Sequence, residues 1–183
     1  VESMKRTREA LAILELPMDQ AKILLGHGWR PAAEGFIKIN VDAGISMEAR
    51  LAGVGGVARS CTTYLGAWCK PFHGVTDSLL AEALALWEGV IFAKLRGFER
   101  VQLETDSQDV VDLWNSRHSS RSLIASVLLD IEGLADSFTS FSIHHVKRHS
   151  NVPAHLCAKN ACTLEVTDCW MYSPPGFLVT CLM

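Results

Sequence analysis

From Phe36 onward hydrophobic and polar positions alternate. Phe36, Ile37, Ile39 and Val41 with Lys38 and Asn40 between them have the period of a half-buried strand. Gly53 to Arg59 predicts a glycine-rich second strand and Tyr64 to Cys69 a third. The short connectors between them, Gly44 to Leu51 and Ser60 to Thr63, favour an antiparallel meander. The period then lengthens. Leu79, Leu80, Ala83, Leu84, Trp87, Val90 and Ile91 form a broad apolar face over Ser78 to Lys94, a helix that Gly97 stops near Arg96.

Val101, Leu103 and Thr105 mark a short fourth strand, and a second helix follows at once. Ser107 stands at its N-cap position and Asp109 in its first turn, where a carboxylate suits the positive helix end. Ser122 to Ser137 predicts a third helix, Phe138 to Lys147 a fifth strand, and Val152 to Leu164 a last helix with Pro153 in its first turn. The order βββαβααβα makes an α/β fold, a five-stranded mixed sheet flanked by helices. Residues 1–33 read as an N-terminal extension or linker. Met4 to Leu16 there suits one amphipathic helix ended by Pro17, and Gly26, Gly28 and Pro31 suit a loop. Residues 34–165 form the domain. Residues 166–183, with Pro174, Pro175 and Gly176, read as a loop-like tail.

Composition narrows the class. Of 183 residues, 49% are hydrophobic and 20% charged, ordinary values that exclude a disordered or fibrous chain. The most apolar stretch, Leu84 to Leu95, is broken by Glu88 and Lys94, so no membrane span and no membrane partner is expected. The six cysteines lack C-x-x-C pairing, which favours free thiols in a reducing intracellular compartment over a zinc site. No secretory signal opens the chain, and a start without Met suggests a fragment or processed product. The formal charge of −3 offers no global field for nucleic acid, so any such partner must be met locally.

Three acidic residues stand in locally odd places. Asp42 ends a strand, where Asp is depleted; Glu82 lies in a largely apolar helix; Asp106 marks the junction of strand and helix. If the first and fourth strands are neighbours, their C-terminal ends bring Asp42 and Asp106 side by side, and the packed helix adds Glu82. Three carboxylates at one place repel unless a cation holds them. Hard oxygen ligands favour Mg²⁺ or Mn²⁺, and two such ions about 4 Å apart clamp a phosphodiester for in-line attack. Taken singly, a helix cap at Asp106, a solvated Glu82 and a turn residue at Asp42 are each the simpler reading.

Taken together they carry a resemblance. Lys38-Ile39-Asn40-Val41-Asp42-Ala43-Gly44, Gly55-Gly56-Val57-Ala58-Arg59, Ala81-Glu82-Ala83-Leu84, Glu104-Thr105-Asp106-Ser107-Gln108, and His145-Val146-Lys147-Arg148 through Asn151 to Ala158 resemble a plant ribonuclease H-like domain. This is the type 1 ribonuclease H, or reverse-transcriptase-like, family, often found in retroelement-derived proteins. The resemblance covers about residues 34–165, and Trp29 with Pro31 looks like a lead-in. It implies the ribonuclease H-like fold, with Asp42, Glu82 and Asp106 as catalytic metal ligands for two Mg²⁺ or Mn²⁺ ions. It also implies hydrolysis of the RNA strand of an RNA–DNA hybrid by a monomer that needs no small-molecule cofactor. The 2′-hydroxyl would mark the RNA strand in a wide, shallow minor groove.

The last helix departs from that pattern. Where the family has Asn, three residues, then Asp, this chain has Asn151-Val152-Pro153-Ala154-His155. The resemblance puts His155 at the fourth metal position, where imidazole brings no negative charge and suits Mn²⁺ or Zn²⁺ better than Mg²⁺. His149 is the nearest counterpart of the family's mobile proton-carrying histidine; alternatively it is a solvated loop residue. Two cationic runs, His144 to His149 and Lys94, Arg96 and Arg100, suit phosphate contacts or solvated ends equally. Trp68, Trp87 and Trp114 read as packing residues. The rival expectation is a retroelement-derived nucleic-acid-binding module that lost turnover through His155. An actin-like ATPase would need a duplicated fold and a second phosphate loop, which 183 residues do not supply.

Overall fold

The computed structural model describes residues 29–119 and 121–182. The helix expected at Met4 to Leu16, with Gly26 and Gly28, lies outside them. Three strands run antiparallel in sequence: β1 (Ile37–Ser46), β2 (Leu51–Arg59) and β3 (Tyr64–His73). Helix α1 (Ser78–Leu95) leads to β4 (Arg100–Thr105), which pairs parallel with β1. Helices α2 (Gln108–Asn115) and α3 (Ala125–Ala135) then return the chain to β5 (Ser140–His145), parallel to β4. A 3₁₀ turn (Arg148–Ser150) enters helix α4 (Val152–Ala161).

Among the described residues the sheet has six strands, not five. A short β6 (Asp168–Trp170) pairs antiparallel with β3, giving the order β5-β4-β1-β2-β3-β6, and α5 (Gly176–Leu182) follows it. Three residues are too few to display a period of two, so β6 is hidden among turn-forming residues. The tail expected as loop is instead fastened: the Tyr64 hydroxyl donates to the Trp170 carbonyl at 2.7 Å, Trp170 meets Phe177 edge to face, and Leu178 is fully buried.

Each face of the sheet is covered. Ile39, Val41, Leu103 and Trp68 join Leu86, Val90, Phe92 and the α2 and α3 residues Val110, Trp114, Leu128 and Ile131 in the larger core. Trp68 and Trp114 are packing residues as expected, and Trp87 packs against the same core. On the opposite face Val57, Ala67 and Cys69 pack with Cys157, Ala161, Leu178 and Cys181. Burial on both faces explains why all nine residues of β2 are buried and why its first eight, Leu51 to Ala58, are apolar or glycine. Among the described residues, no helix is long and apolar enough to cross a membrane.

Two local devices position the site. Asp77 caps α1, with its carboxylate accepting from the Leu80 amide at 2.7 Å. Gly53 and Gly55 on β2 let α4 approach the sheet closely. A Cβ on Gly55 would stand 2.4 Å from Cys157 Cβ, and one on Gly53 would stand 2.4 Å from the Ala158 carbonyl oxygen.

Candidate active site

Strand β1 puts Lys38, Asn40 and Asp42 on the face that α4 covers, and Ile39 and Val41 on the face that α1 covers. Because β4 lies parallel beside β1, Asp106 emerges just past the end of β4 next to Asp42. The second turn of α1 brings Glu82 to the same end. One ligand oxygen from each of Asp42, Glu82 and Asp106 lies within 4.8 Å of the others, so the three residues expected together are together.

Their crowding is costly without a counter-charge. Asp42 is 3% exposed, and its carboxyl is pushed up to about 6, first by burial and further by Asp106, despite the opposing hydrogen bond from His155. Glu82 is pushed up to about 9 by burial and then by the charges of Asp42 and Asp106. Hydrogen bonds from the Ala43 backbone and the Thr105 side chain oppose that rise without cancelling it. Glu82 Oε2 is buried without a hydrogen-bond partner among the described residues. An orphaned oxygen on one member of a three-carboxylate cluster is what a hard divalent cation satisfies, so these residues fit Mg²⁺ or Mn²⁺.

Helix α4 delivers His155 to this cluster as a partner of Asp42. His155 Nδ1 and Asp42 Oδ2 stand 2.8 Å apart, and the hydrogen bond to Asp42 raises the imidazole pKa against the opposing effect of burial. His149 is exposed on the 3₁₀ turn ahead of α4. Ser107 takes the N-cap position of α2, but its hydroxyl makes no capping bond; its amide donates to Thr105 Oγ1 at 3.1 Å. The two cationic runs part company. His144, His145, Lys147, Arg148 and His149 are exposed around the end of β5, where His145 is in register with Thr105 beside Asp106. Lys94, Arg96 and Arg100 cluster at the end of α1 and the start of β4, at the opposite end of that strand from Asp106.

Sequence reasoning overlooked the buried amides behind the carboxylates, Asn40 and Asn151, both 0% exposed. A usable signal existed: Lys38, Asn40 and Asp42 put polar groups on one face of a strand whose neighbours on both sides are core strands.

Comparison with known proteins adds the following. Residues 40–161 match the family described as reverse transcriptase-like. The chain is 30% identical over 142 residues to an Arabidopsis thaliana protein provisionally named a ribonuclease H protein; the match covers 76% of this chain and 22% of that protein. The chain thus spans about a fifth of that curated relative's length. RNase H1 of the halophilic archaeon Halobacterium salinarum NRC-1 aligns with a TM-score of 0.64 at 23% identity, over 70% of this chain and 98% of that one. The N-terminal RNase H domain of a Mycobacterium tuberculosis protein gives 0.63 at 23%, over 70% and 94%. LC11-RNase H1 in complex with an RNA/DNA hybrid gives 0.61 at 19%, over 68% and 95%. These likenesses establish the ribonuclease H fold.

Proposed function

The chain belongs to the reverse transcriptase-like family with a ribonuclease H fold, and from that premise we propose that it is a divalent-metal-dependent nuclease that hydrolyses the RNA strand of RNA–DNA hybrids. The observation that carries the proposal is the cluster of Asp42, Glu82 and Asp106 with its buried, unpartnered Glu82 Oε2. These three carboxylates would hold Mg²⁺ or Mn²⁺. When bound, such ions activate water and stabilise the charge developing on a phosphodiester.

The protein's own residues do the rest. Strands β1 and β4 fix Asp42 and Asp106 by parallel pairing, so the ligands are arranged before any ion arrives. His155 holds Asp42 Oδ2 and orients that carboxylate, and by the family resemblance it is the residue that would stand at the fourth metal position. His149, exposed ahead of α4, carries a proton to or from the reacting phosphate group. Lys147 and Arg148 neutralise phosphates next to the carboxylate end, and an RNA–DNA hybrid, such as the one LC11-RNase H1 holds, is the partner.

One observation favours a second reading. His155, at the family's fourth carboxylate position, is already bonded to Asp42, which suits a module that binds hybrids without cleaving them. Incubation with a labelled hybrid in Mg²⁺ and in Mn²⁺, beside Asp106→Asn, separates the two. The nuclease reading expects cleavage that Asp106→Asn abolishes. Binding without cleavage in either metal supports the module, and cleavage indifferent to Asp106→Asn rejects this site.

A further inference from the structure

Behind the carboxylates lies a layer of amides whose orientation is forced. The Asn40 amide nitrogen donates to Glu104 Oε2 at 2.9 Å and to Asn151 Oδ1 at 3.2 Å, while Asn40 Oδ1 accepts from Arg59 Nη2 at 2.9 Å. The Asn151 amide nitrogen donates to the Val41 carbonyl at 2.9 Å and to Asp106 Oδ1 at 3.1 Å. Both side chains are fully buried, and both protons on each amide nitrogen are used.

The two ends of a carboxamide are nearly the same size, so packing alone does not choose between its orientations. Charge does. Glu104 offers only acceptors, Arg59 only donors, and Asn40 lies between them. Glu104 comes directly opposite Asn40 in the β1–β4 register and is itself ion-paired to buried Lys38 at 2.7 Å. Arg59 is held by the Trp29 ring, 3.8 Å from its guanidinium carbon. Burial brings the Arg59 pKa down to about 10, so the guanidinium is still a cation at neutral pH.

We propose that Asn40 is a positioning residue for the carboxylate site: it transmits the donor and acceptor order set by Arg59 and Glu104 to Asn151, which holds Asp106 and the carbonyl preceding Asp42. Reversal of Asn151 would turn an oxygen toward Asp106 Oδ1 and toward the Val41 carbonyl, replacing two attractions with two repulsions. The inference rests on the reading of Asp42, Glu82 and Asp106 as a metal site, and its test contains a readout that needs no metal.

In the metal-free full chain labelled with ¹⁵N, the side-chain amide protons of Asn40 and Asn151 should exchange about a hundredfold more slowly than those of exposed Asn115. Asn40→Leu should remove that protection from Asn151 and weaken Mn²⁺ binding about tenfold, the scale of losses seen when ligand-orienting partners are removed. Lys70→Met breaks the Lys70–Glu88 pair outside this chain of amides; it should lower the melting temperature and leave Mn²⁺ affinity unchanged. Unprotected Asn151 protons in the unmodified protein overturn the proposal, and that result stands even where Asn40→Leu does not fold. Destabilisation by Asn40→Leu with Asn151 protection and Mn²⁺ affinity retained also overturns it. Protected amides in a protein that binds no Mn²⁺ would leave the relay in place and reject the metal site instead.

Discussion

His155 concentrates the chemistry that distinguishes this chain at residue scale. Its imidazole meets Asp42 where a carboxylate would add charge for an incoming cation. Under the proposed nuclease function, His155→Asp should therefore raise Mg²⁺-supported hybrid cleavage by roughly tenfold, within the range that changes around metal ligands produce. An unchanged or lower rate would show that the histidine is no deficit. Glu82 supports a second prediction. A carboxyl whose folded pKa lies above its ordinary 4.5 keeps its proton more tightly in the folded protein, so the metal-free fold loses stability as pH rises from about 4.5 to about 9. Asp42, raised from 3.8 to about 6, acts in the same direction. His155, also raised, adds stability at low pH that disappears as pH climbs through its folded value. Melting curves in chelator should thus fall with pH across this window. Glu82→Gln should flatten the fall, and Mg²⁺ should reverse it most at the alkaline end, where the carboxylates are free to bind it.

At the scale of elements, α4 decides how the two halves of the site meet. Its approach depends on missing side chains at Gly53 and Gly55, since any Cβ at Gly55 collides with the α4 backbone and Cys157. Gly55→Ala should cost about 1–3 kcal/mol by overpacking and impair cleavage, because α4 carries Asn151 and His155. Gly133→Ala on α3, where a Cβ meets open space, should instead leave stability unchanged or raise it by up to about 1 kcal/mol. Thermal melts of the two variants check both signs. The grouping of Asp42, Glu82 and Asp106 was legible beforehand because periodicity gives the strand ends and the helix start and the family resemblance supplies the adjacency of β1 and β4. The bond from His155 to Asp42 and the amides of Asn40 and Asn151 were not, because they arise from the height of α4 above the sheet. Strand β3 ran on past the expected Cys69 for a different reason. Pro71 argues against a central strand, and among the described residues β3 has no partner strand beyond Cys69 on its outer side, where a proline is tolerated.

For the whole molecule the charges sort by place more than by number. Residues 34–165 carry twelve Lys and Arg against fifteen Asp and Glu. Three of those acids meet at the site and an exposed cationic run lies beside them, so the net of −3 says little about the surface a phosphate would meet. The tail has a global role that its loop-like composition concealed. Leu178 and Cys181 from α5 share the core under α4 with Val57, Ala67 and Cys157. Truncation after residue 165 forfeits the burial of Leu178, worth about 1.5–3 kcal/mol alone, and should lower the melting temperature by on the order of 10 °C. A truncated protein that melts with the full chain would show that α5 is dispensable.

The three residues of β6 also have a consequence for how copies of this protein meet one another. They occupy the backbone donors and acceptors of β3 at Ala67 to Cys69, and just beyond them Lys70 brings a charge and Pro71 lacks an amide hydrogen. Stripped of β6, that edge is a template on which the same edge of another copy can pair. The truncated chain should therefore scatter light increasingly with its own concentration at temperatures where it is still folded, while the full chain stays clear.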